Sequence, residues 1–381
     1  MVSELEKVVF LTLSNYQFPV PRIHMMAESL AKNNYEVHVF CMRDIGVEKE
    51  TINGVTVWSY PKNGERNIFK LLWRYMHYIH ECVPQIKPHF IQVFSPELIP
   101  LGTQLRGEYN SKLVYDCYEY WIGGALTAHR LHSALLYLLI ESIYLKHIDG
   151  AIFVYDKNPT MSKVREDTVI ELIYNIPKSE NIPQLVDPDL RKSLFGASDF
   201  VIGCLGLVMR YKGYESILRA LTALDDNFKL LIIGDALDPL YKDSITQYIT
   251  DHGLSDRVHF TGIVPYKRAL EYASVIDVGL VLFDDASWTK YSTPNKLFEY
   301  MSLGIPIIAT DLPNLSNIID TYKCGVSVPV SNIQKLCETL RYLKDNPRER
   351  NALSLNGKNA FYINFNEEKQ LSKLLDLYRS L

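Results

Sequence analysis

The chain has 381 residues, of which 47% are hydrophobic, 12% aromatic and 22% charged, a globular make-up that excludes disordered and fibrous classes. At roughly 100–200 residues per domain, that length predicts two domains with full cores. Lys plus Arg is 40 and Asp plus Glu is 44, a net charge of -4, which argues against a nucleic-acid partner.

In chain order, short apolar runs predict strands at Val8–Leu13, Glu36–Met42, Val55–Tyr60, Phe90–Phe94, Lys112–Tyr115 and Gly150–Tyr155. Helical patterns fall between them at Arg22–Lys32, Ile68–Cys82 and Leu131–His147. The periodicity lapses at Asn175–Gly196, where Pro177, Pro183 and Pro188 sit among polar and acidic residues. It restarts with strands predicted at Phe200–Leu207, Lys229–Gly234, Arg257–Thr261, Asp277–Phe283, Ile305–Asp311 and Gly325–Val330. Helices are predicted at Tyr214–Leu224, Leu240–His252, Lys267–Val275, Pro294–Leu303 and Ile333–Asp345, and Asn366–Leu381 closes the chain as an amphipathic helix. Continuous Val, Ile, Leu and Phe strands joined by helices mean parallel sheets covered on both faces. The expected class is therefore α/β, with two doubly wound Rossmann-like domains. Such sheets take ligands at the carboxyl ends of their strands, so a central cleft between the domains is the expected site.

The six cysteines are scattered without a CxxC and read as small buried hydrophobes in a reducing compartment. The first 30 residues show no basic start followed by an apolar signal segment, and no run approaches the ~20 apolar residues of a membrane span. A cytoplasmic protein is expected.

The richest stretch runs from Tyr291 to Pro306, with Thr293, Pro294, Asn295, Lys296 and Glu299 in its first turns. Thr293 suits an N-cap, Pro294 the first helical position and Gly304 the exit. A helix starting there, after the strand predicted at Asp277–Phe283, turns its N–H groups and positive dipole end toward a diphosphate. Lys296 is badly placed for that dipole unless an anion lies near. Glu299, three residues on, can accept two ribose hydroxyls, each such bond being worth about 1.5–3 kcal/mol. The plainer alternative is a surface Lys–Glu pair.

The run PNKLFEYMSLGIPIIATD resembles the nucleotide-sugar site of family 4 glycosyltransferases, which have the GT-B fold and retain anomeric configuration. Supporting similarity is found in Pro21-Arg22 opening the first helix, in Val114–Glu119 (a "YDxHE"-like segment), in Tyr174–Pro177, and in Gly206–Gly213 (a "GRxxxxKG"-like loop). The resemblance implies an acceptor-binding domain over 1–190, a nucleotide-sugar-binding domain over 191–362, and a helix over 363–381 that crosses back to the first domain. It implies transfer of a sugar from a nucleoside-diphosphate sugar to a glycan, lipid-linked or protein-linked acceptor, in bacterial polysaccharide or cell-surface glycan biosynthesis. No cofactor and no metal are expected.

By the same resemblance Lys212 contacts the donor diphosphate, with Gly206 in its loop, and Leu207 stands where relatives carry an arginine. Arg210 is the nearby substitute. Tyr118 occupies the histidine position of the YDxHE-like segment, with Asp116 and Glu119 as polar neighbours. Tyrosine cannot act as a base near pH 7, its pKa being about 10. Asp116, Glu119 and His24, in the first helix, are the acceptor-side candidates; a capping or ion-pair role for the carboxylates, and a half-buried packing role for His24, are the alternatives. With Lys212, Lys296 and Tyr118 assigned to catalysis, chemistry rests on positioning and on charge stabilisation at the leaving diphosphate.

Asp284-Asp285 reads as a solvated loop pair, and no Cys or second His pair completes His77-x-x-His80 or His129-x-x-His132 as a metal site. The segment Arg66–Cys82 mixes basic and aromatic residues; it reads as a sheet-covering helix, with peripheral contact at the inner face of the cell membrane as the alternative. Leu131–His147, interrupted by Glu141 and Ser142, reads as a buried helix. GxGxxG is absent after the first strand and GxSxG is absent altogether, which disfavours nicotinamide oxidoreductases and hydrolases. Two rivals stay open: a GT-B sugar-nucleotide epimerase, and a catalytically inactive sugar-nucleotide-binding subunit of a larger complex.

Overall fold

The computed structural model describes residues 5–16, 21–44, 49–185, 187–283, 289–291 and 293–381. The chain forms two compact units, Met1–Tyr174 with Glu368–Leu381, and Asn175–Glu367.

The first unit is built on an eight-stranded sheet. Its strands are β1 (Glu6–Leu11), β2 (Tyr35–Arg43), β3 (Lys49–Ile52), β4 (Val55–Pro61), β5 (Phe90–Val93), β6 (Lys112–Cys117), β7 (Gly150–Phe153) and β8 (Val169–Leu172). They lie in the order β3-β4-β2-β1-β5-β6-β7-β8, and every pairing is parallel except the β3–β4 hairpin. Ile52 pairs with Val55 across the two-residue loop Asn53-Gly54. Both loop residues have positive φ, 48° and 83°, the backbone that an Asn-Gly hairpin turn requires. Strand β3 and the half-exposed edge strand β8 have no counterpart among the predicted strands; every predicted strand is present, with ends within about two residues.

Helices α1 (Pro21–Lys32), α2 (Ile68–Cys82), α3 (Ile99–Tyr109), α4 (Trp121–Thr127) and α5 (Leu131–Tyr144) belong to this unit. Alternate residues of one strand face opposite sides. Val9 and Leu11 pack with Leu71, Tyr75 and Ile79 of α2, Leu105 of α3 and Ile140 of α5. Val8 and Phe10 pack with Ile23, Met26 and Leu30 of α1 and with Leu374, Leu377 and Tyr378 of the closing helix.

The expected burial of the helix over 131–147 is not what the structure shows. Its inward face holds Ala134, Ile140 and Glu141, whereas Leu131, Leu135, Leu136, Leu138, Leu139 and Ile143 are exposed. The inward Glu141 is ion-paired with Lys163 at 2.6 Å and accepts a bond from Thr160 Oγ1. With that buried carboxylate held, the leucine face of α5 is left outside.

The second unit runs α6 (Pro188–Leu194), β9 (Phe200–Leu205), α7 (Tyr214–Thr222), β10 (Phe228–Ile233), α8 (Pro239–Asp251), β11 (Val258–Phe260), α9 (Tyr266–Ala273), β12 (Val278–Val281), α10 (Asn295–Leu303), β13 (Ile307–Thr310), α11 (Pro313–Tyr322), β14 (Gly325–Val328), α12 (Ile333–Asp345) and α13 (Pro347–Ala360). The sheet is six-stranded, in the order β11-β10-β9-β12-β13-β14, and wholly parallel. Strand order reverses between β9 and β12, which is the topological switch point where such sheets bind ligands.

The unit boundaries lie at 174/175 and 367/368, rather than the expected 190/191 and 362/363. The proline-rich stretch stays with the second unit because Arg191 donates to the carbonyls of Val275 and Asp199 and to Asp277 Oδ2. The π-helical turn Phe361–Phe365 stays there too, with Phe365 against Phe298 and Tyr322 at ring separations of 4.8 and 5.1 Å. Helix α14 (Glu367–Ser380) then packs on the first unit. Gln370 Oε1 accepts the Tyr174 N–H at 2.9 Å, and Lys373 donates to the Leu172 carbonyl at 2.9 Å. The six cysteines are free thiols and all but Cys82 are buried.

Candidate functional site

At the switch point, β9 ends in a glycine-rich loop. Gly206 has φ +102° and Gly234, at the end of neighbouring β10, has φ +143°. A Cβ on Gly234 would lie 2.3 Å from the Gly206 carbonyl oxygen, so both positions require glycine. Gly213 (φ +68°) closes the loop, where a Cβ would come within 2.8 Å of Leu282 Cβ, just beyond β12. The loop from β9 and the exit of β12 are thus packed directly on each other.

Within that loop, Arg210–Lys212 forms a short 3₁₀ turn. Lys212 is half-buried and its Nζ donates to the Leu207 carbonyl at 3.1 Å. Arg210 is exposed, stacks over the Tyr241 ring at 4.6 Å and pairs with Asp238 at 3.7 Å. Its charge is therefore engaged by the start of α8.

The other wall of the site is α10. Pro294, with φ -72° and ψ 142°, is its N-cap, and no side chain caps it. This corrects the expected Thr293 cap: helical geometry starts one residue later, and Thr293 is buried ahead of it. Asn295 is exposed. Gly304 (φ 67°) ends the helix as expected, with Ile305 N–H donating to the Tyr300 carbonyl at 2.9 Å.

Lys296 and Glu299 are both buried, at 7% and 4% exposure, which removes the reading of a surface pair. Burial pushes the Lys296 ammonium below its usual pKa, while Cys204 and Glu299 nearby act to raise it. Burial pushes the Glu299 carboxyl up to about 7, opposed by a hydrogen bond from Tyr266 and by the Lys296 charge. Tyr266 Oη donates to Glu299 Oε1 at 2.7 Å. Lys296 Nζ also lies 5.6 Å from the centre of the Phe283 ring. Burial that shifts two neighbouring ionisable groups at the switch point of a parallel sheet makes them candidates for a functional site.

The helix is held close to the sheet by Tyr300. Its hydroxyl accepts the Leu205 N–H at 2.9 Å and donates to the Gly203 carbonyl at 3.2 Å. A Cβ on Gly279 would come within 2.5 Å of the Tyr300 ring, so β12 needs glycine there. Thr310 Oγ1 accepts the Phe283 N–H at 2.8 Å and donates back to its carbonyl at 3.1 Å, fixing the β12 exit to the end of β13.

Among the first-unit candidates, Asp116 is taken up by an internal ion pair. Asp116 is fully buried and bound by Arg22: Nε lies 3.0 and 2.9 Å from its two oxygens and Nη2 2.8 Å from Oδ1. Gln92 donates to Asp116 Oδ2 at 3.2 Å, Tyr378 donates to Gln92 Oε1 at 2.7 Å, and Arg22 Nη1 donates to the Ile173 carbonyl at 2.8 Å. The ion-pair alternative therefore holds for Asp116, which ties α1, β5, β6 and α14 together. Tyr118 is half-buried with its ring edge-on to Trp121 at 5.4 Å, and burial raises its hydroxyl pKa. Glu119 is exposed. His24 is half-buried beside the Tyr16 ring, 4.1 Å between centroids. His77 and His80 are each 3.3 Å from a carboxylate, Glu81 and Glu108, while Asp284 and Asp285 lie outside the described residues.

Sequence reasoning missed Tyr266 and Thr310. The predicted helix began at Lys267, one residue too late. An aromatic directly after Pro265 at a helix start was the available signal.

Residues 187–360 match the family model described as Glycosyl transferases group 1. A lipopolysaccharide core biosynthesis glycosyltransferase, LpsD of Rhizobium meliloti (strain 1021), is 26% identical over 220 residues, covering 57% of this chain and 60% of that protein. The teichuronic acid biosynthesis glycosyltransferase TuaH of Bacillus subtilis (strain 168), itself described as putative, is 24% identical over 223 residues, covering 55% and 53%. The chain spans about half to three-fifths of the length of the curated relatives it matches. Among solved structures, sucrose-phosphate synthase from Thermosynechococcus elongatus superposes with a TM-score of 0.83 at 17% identity, covering 98% of both chains. HepE from Anabaena in complex with UDP-glucose gives 0.76 at 14% identity, covering 98% of this chain and 100% of that one. The fold is GT-B.

Proposed function

We propose that this chain, whose second unit is a glycosyl transferases group 1 domain, is a retaining, metal-independent glycosyltransferase that takes its sugar from a nucleoside-diphosphate sugar. The observation that carries this reading is the buried Lys296–Glu299 pair in the first turns of α10, at the switch point of the second sheet. Glu299, steadied by Tyr266, accepts ribose hydroxyls of the donor. Lys296, the α10 N–H groups and Lys212 meet the diphosphate, where charge grows as the anomeric C–O bond breaks. The acceptor hydroxyl forms the new bond on the same face of the sugar, and its proton passes to the departing phosphate oxygen. Arg210 needs to leave Asp238 to join Lys212 there. The lipopolysaccharide-core and teichuronic acid glycosyltransferases it resembles support an acceptor in polysaccharide synthesis.

A second reading, a donor-binding subunit without turnover, is favoured by Tyr118 in place of histidine and by Leu207 in place of arginine. One experiment separates the two. Release of nucleoside diphosphate is measured from UDP-glucose, UDP-galactose, UDP-N-acetylglucosamine and GDP-mannose in EDTA, with water as the surrogate acceptor. Slow release from one donor, lost in Lys296→Ala, supports the transferase. Binding of a donor with no release supports the subunit, and release that EDTA abolishes refutes metal independence.

A further inference from the structure

Strands β5 and β6 are neighbours in the first sheet, and the segments just past their carboxyl ends carry polar atoms that the fold leaves unsatisfied. Ser95 Oγ and Glu97 Oε2 follow β5, and Trp121 Nε1 follows β6. All three atoms are buried, and among the described residues none has a hydrogen-bond partner. Glu97 is nonetheless fixed in place, because Tyr137 Oη of α5 donates to its other oxygen, Oε1, at 2.7 Å. Burial and that bond hold the Tyr137 hydroxyl above its usual pKa, so it stays a donor. Three rings sit together here: Trp121 is edge-on to Tyr118 at 5.4 Å and to Tyr137 at 6.3 Å. Glu97, Tyr118, Trp121 and Tyr137 are all half-buried, so the group belongs neither to the core nor to open surface.

A buried donor or acceptor left unpaired is costly, and folds keep few of them without a reason. Aromatic walls with a few convergent polar groups are the make-up of a small-molecule site, and parallel sheets form such sites at the carboxyl ends of their strands. The chemistry of the group narrows the ligand. A hydrocarbon leaves the Glu97 carboxylate and the Trp121 N–H unpaired. Phosphate or another anion is repelled by Glu97 and by Glu119, which is exposed two residues before Trp121. A cation suits the carboxylate and the rings but offers Trp121 Nε1 no acceptor. A sugar hydroxyl both donates and accepts, and the C–H face of a pyranose meets the negative face of an aromatic ring.

We propose that Glu97 and Trp121 bind an uncharged pyranose ring of the acceptor against the neighbouring tyrosine rings, with Glu97 Oε2 accepting from one hydroxyl and Trp121 Nε1 donating to the next. Assigning that ring to the acceptor rests on the transferase reading; the sugar site itself does not. The test is saturation-transfer NMR of the full chain with the methyl α-glycosides of glucose, galactose, mannose and N-acetylglucosamine. At least one should bind the wild type. Its binding should weaken about fivefold or more in Glu97→Gln, which keeps an acceptor for Tyr137, and likewise in Trp121→Phe, which keeps a ring. Thermal melting confirms that each variant is folded. No signal from any of the four sugars, or full binding in either folded variant, overturns the proposal. So does binding of choline in place of sugar that Glu97→Gln abolishes, which assigns the site to a cation. Nucleoside-diphosphate release is a separate readout. Sugar binding at Glu97 without donor release keeps this site and removes the transferase reading, and donor release with no sugar bound does the reverse.

Discussion

Tyr266 donates its hydroxyl hydrogen to Glu299 at 2.7 Å inside a site where the carboxyl is buried and its pKa is pushed up to about 7. The bond favours the ionised carboxylate and burial disfavours it, and burial is the larger effect. Glu299 is thus poised to change charge close to neutrality.

That poise has a sign. A carboxyl with a folded pKa above its unfolded value of about 4.5 contributes stability that is complete below pH 4.5 and is lost as pH rises through 7. The cost above pH 7 is on the order of 3 kcal/mol. We expect the melting temperature of ligand-free Glu299→Gln, relative to wild type, to rise progressively between pH 4.5 and 7. Parallel melting curves for the two proteins across that window remove the proposed shift.

Donor binding runs the other way. Ribose hydroxyls bind the ionised carboxylate best, so the affinity of a nucleoside-diphosphate sugar should strengthen as pH rises through 7. Tyr266→Phe removes the bond that favours ionisation, so its midpoint should move to higher pH. Calorimetry from pH 6 to 8.5 checks both, and an unmoved midpoint in Tyr266→Phe means that the tyrosine does not tune the site.

Lys296→Ala and Lys212→Ala should each lower turnover by roughly 10²–10³, the usual cost of losing one preorganised donor at a developing charge. Lys212 is half-buried, so Lys212→Ala should melt close to wild type, whereas Lys296 is buried beside Glu299 and its loss should also lower stability, so turnover is compared per folded molecule. Unchanged turnover per folded molecule in both variants dissolves the assignment.

Asp116→Ala leaves the Arg22 guanidinium buried without its carboxylate, a loss of about 3–5 kcal/mol. Denaturant unfolding should show that loss, while donor affinity per folded molecule stays as in wild type. A full-strength fold with altered acceptor kinetics restores Asp116 as an acceptor-side residue.

Tyr300→Phe deprives the Leu205 N–H of its acceptor and should cost about 1–3 kcal/mol. Gly279→Ala drives a methyl into the Tyr300 ring and should cost about 1–3 kcal/mol by overpacking. The two effects share one contact and should be less than additive in the double variant.

The fold was largely legible because the strands of the second sheet are mostly apolar runs between helices of the right period, and the same period locates α10 and its glycine exit. Lys212 and the Thr293–Glu299 segment follow the strands predicted before them, whereas Gly206, inside the predicted strand Phe200–Leu207, lies one residue past the end of β9. Tyr266 did not declare itself, since its partner lies 33 residues away. The Arg22–Asp116 pair spans 94 residues, and neither residue alone shows that it is spent on the other. Periodicity also groups Leu131, Leu135 and Leu139 on one side of α5 without telling which side faces in. Glu141, paired with Lys163, decides that, and no local pattern reveals such a pair.

The most direct measurement is calorimetric titration of UDP, GDP, ADP and CMP into the wild type and Glu299→Gln at pH 8. One nucleoside diphosphate should bind tightly and lose about 1.5–3 kcal/mol of affinity in the variant, as expected when a carboxylate that accepts ribose hydroxyls becomes an amide. Binding of none of the four, or binding that the substitution leaves unchanged, contradicts the assignment of the Lys296–Glu299 site to a nucleotide-sugar donor.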